Sequence, residues 1–329
     1  MTTPALPHDT PAPLAPPLDA SAARADVLRL ESNIASVLRG KAEVVRLATV
    51  CLLARGHVLV EDVPGVGKTT LAQAVARSLG VSFQRIQFTS DLLPSDIIGA
   101  SVYRRREERF EFVPGPLFAH VVLADEINRA TPKTQSALLE AMGERRVSVE
   151  RTTYALAEPF LVLATQNPLD SHGTFPLPES QLDRFTMSLA VGYPPRDEER
   201  RLLLSGGVEE LLSQLKPVLS RDRLLELQRQ VASVRVEEKL ADRMLNLAEA
   251  TRDGSRFLLG VSTRGLQSLY RAVQALALCE GRDFAIPEDL RRLAPWVMGH
   301  RVLPRRGSGD RQTQREAIVA LLDQLPVAL

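Results

Sequence analysis

Two cysteines, one tryptophan and five histidines are spread over 329 residues, and aromatic residues make up 5% of the chain. Cys51 and Cys279 lie far apart in apolar helical patterns, so they build no disulfide framework and read as buried thiols of a reducing compartment. The histidines are scattered. No pair has metal-ligand spacing, which excludes a zinc site of the finger type. No apolar run approaches the about 20 residues of a membrane-spanning helix, and the amino terminus lacks the charged and apolar regions of a secretory signal. The expected location is the cytoplasm, without membrane insertion. An excess of one charge is also missing, because 41 Lys and Arg stand against 40 Asp and Glu for a net charge of +1. There is no overall basic field of the kind that drives non-specific nucleic-acid binding, so nucleic acid is not the expected partner.

What is present is an ordinary globular composition, 44% hydrophobic and 25% charged, in a chain long enough for two domains. Residues 1–23 are rich in proline and alanine without apolar periodicity, and read as a disordered leader. From Arg24 the pattern is helical, and five apolar runs follow: HVLVE, FQRIQF, HVVLADE, PFLVLATQ and RFTMSLAV. Strands of this kind separated by helices predict a doubly wound parallel sheet covered on both faces. Two stretches interrupt the alternation as hairpins, one within an insert at about 91–118 and one at about 145–158. Past Gly192 helical periodicity takes over, which predicts a small all-helical domain over 193–305, with a linker and an amphipathic helix over 306–329 packed on it. Leu266, Leu269, Val273 and Leu276 mark the core stripe of one of its helices.

The run Glu61-Asp-Val-Pro-Gly-Val-Gly-Lys-Thr-Thr70 follows an apolar strand and precedes the helical pattern LAQAVARSL. This is a phosphate-binding loop in the context that gives it meaning. Val63, Pro64, Gly65, Val66, Gly67, Lys68, Thr69 and Thr70 are the expected nucleotide-binding residues. The glycines let successive N–H groups face an anion, Lys68 reaches the outer phosphates, and Thr69 ligates Mg2+. ATP and Mg2+ are the expected cofactors. One position departs from the general pattern GxxxxGK[ST]: Asp62 stands where the first glycine belongs.

Val121-Val-Leu-Ala-Asp-Glu126 places two carboxylates at the carboxyl end of a buried strand, where ligands bind in open α/β sheets. Asp125 is the expected metal ligand. Glu126 is the expected base for the attacking water. Asn167 closes the next strand in LATQNP. If that strand lies between those carrying the loop and the carboxylates, Asn167 faces the γ-phosphate; otherwise it is a turn former. Arg184, in PESQLDRF, is either an arginine finger for a neighbouring subunit or the surface partner of Asp183. Arg264 sits in the first turn of the helix opened by Gly260-Val-Ser-Thr, where the macrodipole disfavours a cation. A phosphate nearby would explain it.

The loop, DEINRATPKTQSALLEAMGE, FVPGPLF, LATQNP, FPLPESQLDRF and GVSTR occur in the order of the AAA+ ATPases, and their wording resembles the MoxR family. The likeness runs from about Arg24 to about Arg305. The resemblance implies a ring-forming ATPase core, expected to be hexameric, with a helical lid, a helix-2 insert and a pre-sensor hairpin. It also implies Asn167 as sensor 1, Arg184 as finger and Arg264 as sensor 2. Family members are regarded as chaperones that mature partner proteins, often ones bearing a VWA-type metal-binding domain. Two rivals remain within ring ATPases, a metal-chelatase motor subunit and a DNA-remodelling ATPase, and a third, outside them, is a small-molecule kinase. The Val102 to Arg109 tip is either a substrate grip or a solvated turn.

Overall fold

The computed structural model describes residues 19–150, 152–167, 173–204, 207–305 and 310–325. Most of the expected leader, the start of the 306–329 segment and its last four residues lie outside these. The first helix, α1 (Ala20–Ala35), begins before Arg24. Asp19 caps it by accepting from the Ala22 N–H, and Ala23, Val27 and Leu30 are buried. Residues 20–23 therefore belong to the folded core and not to the leader. The cap signal sits at the edge of a proline-rich stretch that masks it.

The central sheet is built from β1 (Val58–Glu61), β2 (Phe83–Gln87), β5 (Val121–Asp125), β8 (Leu161–Gln166) and β9 (Met187–Leu189). Its order is β2-β5-β8-β1-β9, all parallel. Side chains alternate across it with the period of a strand. Val58, Val60, Val121, Leu123, Leu161 and Leu163 enter one apolar cluster. Leu59, Val122, Ala124, Val162 and Ala164 enter the other, on the opposite face. Burial on both faces explains why β1, β5 and β8 read as apolar runs, whereas the edge strand β2 is largely exposed.

The first cluster is covered by α1, α2 (Ala42–Leu53) and α3 (Lys68–Leu79), and continues without a break into the carboxyl-terminal helices. On the other face lie the insert, made of α4 (Pro94–Ile98) and the hairpin β3 (Gly99–Arg104) with β4 (Arg109–Pro114), and α5 (Pro132–Glu144). The second hairpin pairs β6 (Arg146–Val149) with β7 (Thr152–Ala155). The short α6 (Glu179–Leu182) leads into β9. Among the described residues no helix is long and apolar enough to cross a membrane, and both cysteines are buried and unpaired.

After Gly192 the chain forms α7 (Arg196–Leu204), α8 (Val208–Gln214), α9 (Arg221–Val231), α10 (Glu238–Thr251), α11 (Thr263–Cys279), α12 (Pro287–Met298) and α13 (Arg311–Gln324). Leu269, Val273 and Leu276 of α11 are buried, and Leu266 packs beside them. Ile318, Leu321 and Leu322 bury α13 against this domain. A two-stranded ladder, β10 (Phe257–Leu259) with β11 (Leu303–Pro304), is added to the helices.

His57, just ahead of β1, ties three elements together. Its Nδ1 accepts the Val162 N–H at 3.1 Å and its Nε2 donates to the Met142 carbonyl at 3.2 Å. Both nitrogens are used by the neutral ring, so a second proton would point at an N–H. Burial, then the nearby Arg145 guanidinium, push its pKa down to about 4. The unfolded chain takes up this proton near pH 6.5 and the folded chain only near 4, so stability is complete above the first value and lost as pH falls toward the second. Between pH 7.5 and 5 the urea midpoint should fall by the equivalent of roughly 2 kcal/mol. A His57→Asn variant should lose that part of the slope. Equal slopes in the two proteins would refute the assignment.

Candidate active site

The loop after β1 turns on Gly65 (φ 84°) and Gly67 (φ 99°), a left-handed conformation that glycine adopts without a Cβ penalty. Gly67 caps α3, so the first-turn N–H groups of that helix have no partner within it and face the loop. Lys68 Nζ donates to the Asp62 carbonyl at 2.8 Å. Burial lowers its pKa from the ordinary value, against the opposing pull of Asp125, Asp62 and Glu126. Asp62, the departure from the general motif, has a structural use. Its carboxylate accepts from the Val63 N–H at 2.8 Å and, across the fold, from the Gly192 N–H at 2.6 Å.

Across the loop stand the two carboxylates. Asp125 Oδ1 accepts from the buried Thr165 hydroxyl at 2.6 Å, and its Oδ2 accepts from Arg85 Nη2 at 2.5 Å and Nε at 3.1 Å. Glu126 sits at φ 57°, in the left-handed region, a conformation that costs a residue with a Cβ about 1 to 2 kcal/mol. Its N–H donates to the Thr165 oxygen at 2.8 Å. The turn aims the carboxylate back along the sheet edge, where Gln87 Nε2 donates to it at 2.9 Å and Arg129 Nη1 at 3.0 Å. Since β8 lies between β1 and β5, the sheet order meets the condition set for Asn167.

Pro64 through Thr70, Asp125, Glu126 and Asn167 line one cavity of about 410 Å3, within the range of small-molecule sites. Val63 does not line it; its side chain packs against the apolar core. The rest of the lining mixes apolar Val37 and Leu38 after α1 and Pro194, Leu202 and Val208 of the second domain with Arg39 and Lys41. Loop N–H groups and cations together with apolar side chains suit a nucleotide, whose phosphates the first can receive and whose base the second can cover. The hydroxyl of Thr69 and the carboxylate of Asp125 are the hard oxygen donors that Mg2+ takes. Arg85, Gln87, Thr165 and these apolar residues carry no motif, and nothing in the sequence marked them.

Neither Arg184 nor Arg264 lines this cavity. Both line a second one, of about 300 Å3, with Arg55, Arg145 and Arg271, and no carboxylate lines it. Arg184 Nη1 donates to the Leu139 carbonyl of α5 at 2.7 Å. The alternative of a surface pair with Asp183 is removed, because Asp183 is engaged by Arg301 and Ser262. Arg264 therefore does not face the phosphate loop of its own chain.

Residues 57–187 match the family described as ATPase family associated with various cellular activities (AAA), and residues 249–321 match the AAA lid domain. Chaperone MoxR1 of Mycobacterium tuberculosis is 43% identical over 89% of this chain and 81% of its own length. This chain is a member of the MoxR family of AAA+ ATPases. The Bacillus subtilis protein YeaC, itself uncharacterised, is 47% identical over 87% of this chain and 90% of its own. A crystal structure of a proposed ATPase from Cytophaga hutchinsonii superimposes with a TM-score of 0.85 at 33% identity, covering 94% of this chain and 97% of that one. The MoxR assignment agrees with the sheet order, the two inserted hairpins and the helical second domain.

Proposed function

We propose that this chain hydrolyses ATP with Mg2+ as a subunit of a ring, expected to be hexameric, and spends the cycle on remodelling a protein client. The observation that carries the reading is the convergence of Lys68, Thr69, Asp125, Glu126 and Asn167 on one cavity. Loop N–H groups and Lys68 receive the phosphate oxygens. Thr69 and Asp125 would hold Mg2+, which supplies charge neutralisation at those oxygens. Glu126 accepts a proton from water as the water oxygen bonds to the terminal phosphorus and the bond to the bridging oxygen breaks. Asn167 orients that water. Arg184 and Arg264 complete the site of a neighbouring subunit, which explains why the cavity in their own subunit lacks them.

A chaperone role is supported by the name that the Mycobacterium tuberculosis relative carries. The client expected from the family resemblance bears a VWA-type domain, and two buried thiols agree with a cytoplasmic site of action. The near-neutral charge disfavours a DNA-remodelling motor, and a kinase would have no use for a distant arginine pocket. A metal-chelatase motor would be told apart by co-purification with a tetrapyrrole-handling subunit. The direct test uses Glu126→Gln in ATP as bait. A VWA-bearing client should bind the ATP-held bait more tightly than the ADP form, because a nucleotide that does not discriminate between client states cannot drive remodelling. Recovery of nucleic acid alone, or of this chain alone, would overturn the client reading.

A further inference from the structure

Between Arg184 on the ATPase core and Arg264 on the lid runs a buried network centred on Arg301. The Arg301 side chain is 2% exposed, which for a guanidinium demands full pairing. Its Nε donates to Asp183 Oδ1 at 2.7 Å, and its Nη2 to the carbonyls of Asp183 at 3.0 Å and Phe185 at 2.5 Å. Nη1 donates to the Thr186 carbonyl at 3.1 Å and to the Val297 carbonyl of α12. The carbonyls on both sides of Arg184 are thus gripped by one lid residue. The second oxygen of Asp183 accepts from the Ser262 hydroxyl at 2.8 Å. Ser262 is the cap of α11, accepting from the Gly265 N–H at 2.9 Å, and the first turn it caps carries Arg264. His300, held neutral by burial and then by the adjacent guanidinium, places Nε2 3.0 Å from the Phe185 carbonyl.

Two glycines make room for this arrangement. A Cβ on Gly143 of α5 would stand 2.6 Å from Arg184 Nη1, and one on Gly265 of α11 would stand 2.6 Å from Arg301 Cδ. Both glycines stand in an end turn of their helix, and a side chain at either position would meet a guanidinium-bearing chain. Neither Arg301 nor Asp183 lines either cavity.

We propose that Arg301 and Asp183 are positioning residues that yoke Arg184 and Arg264 into one rigid unit, so that core and lid present their two arginines together to the neighbouring subunit's nucleotide. The proposal rests on the reading that these arginines act in trans. Displacement of a group by about 1 Å from a productive position costs about 100-fold in rate. That is the loss expected in phosphate release for Arg301→Lys and for Asp183→Asn, each with unchanged nucleotide affinity, since their own phosphate loops are untouched. The two variants guard each other against a folding failure, because the Asp183→Asn side chain is partly exposed and keeps its shape.

The deciding measurement mixes each variant with Lys68→Ala subunits after exchange, with Arg184→Ala as reference. Sites pairing a sound loop from the variant with well-held arginines from the Lys68→Ala subunit should regain activity, as they should for Arg184→Ala. A merely structural role would lower nucleotide affinity and give no regain. Regain for Arg184→Ala but not for the Arg301 and Asp183 variants overturns the proposal and leaves the trans reading in place. No regain for Arg184→Ala, with co-assembly confirmed, overturns both.

Discussion

Arg184→Ala is expected to lower steady-state phosphate release by about 10^3- to 10^5-fold, the range of an arginine that stabilises transition-state charge in phosphoryl transfer. Nucleotide affinity should stay the same, because the side chain lies outside the cavity that holds Lys68 and Asp125. Lys68→Ala should fail for the opposite reason. It removes the cation from the loop and leaves the five-arginine pocket intact. Mixed assemblies therefore rebuild complete sites wherever an Arg184→Ala subunit offers the loop and a Lys68→Ala subunit offers the arginine. Phosphate release above the sum of the parents, peaking at intermediate mixing ratios, is the expected result. Activity that never exceeds that sum would place the action of Arg184 within its own subunit.

Glu126→Gln is expected to abolish turnover by about 10^2- to 10^4-fold while retaining nucleotide, since the amide keeps the shape of the side chain and cannot take a proton. The substitution also keeps acceptor capacity for Gln87 and Arg129, so the pocket should stay folded around it. Because the bound state no longer decays, ATP should shift the variant toward its assembled form by mass action. Sizing in ATP and in ADP reads this directly. A retention volume that is the same in both would oppose the ring.

Strands β1, β5 and β8 were legible because both of their faces are buried, which leaves apolar runs that chain order alone separates. Asp125 and Glu126 were legible for a related reason, since a buried strand that ends in two acids has to deliver them somewhere. Arg85 and Gln87 were not. They alternate with Ile86 on an otherwise exposed stretch of β2, and only the pairing of β2 with β5 brings them to Asp125 and Glu126. The ladder of β10 and β11 is three residues against two, too short for any period to register. Arg301 stands 118 residues from Asp183, and a single arginine in a helical sequence gives no sign that it will be buried. The start of α1 was obscured by composition, as alanines beside a proline-rich stretch carry no apolar stripe.

Asp62 turns the one irregularity of the loop into a mechanical link. A glycine at that position would leave the first turn of the loop without its tie to Gly192. With the carboxylate holding both the Val63 and Gly192 amides, the first turn of the loop and the last residue before the second domain are fastened at a single point. A shift at Gly192 is therefore felt by the first turn of the loop, and a shift in the loop by Gly192, since coupling of this kind runs equally in both directions.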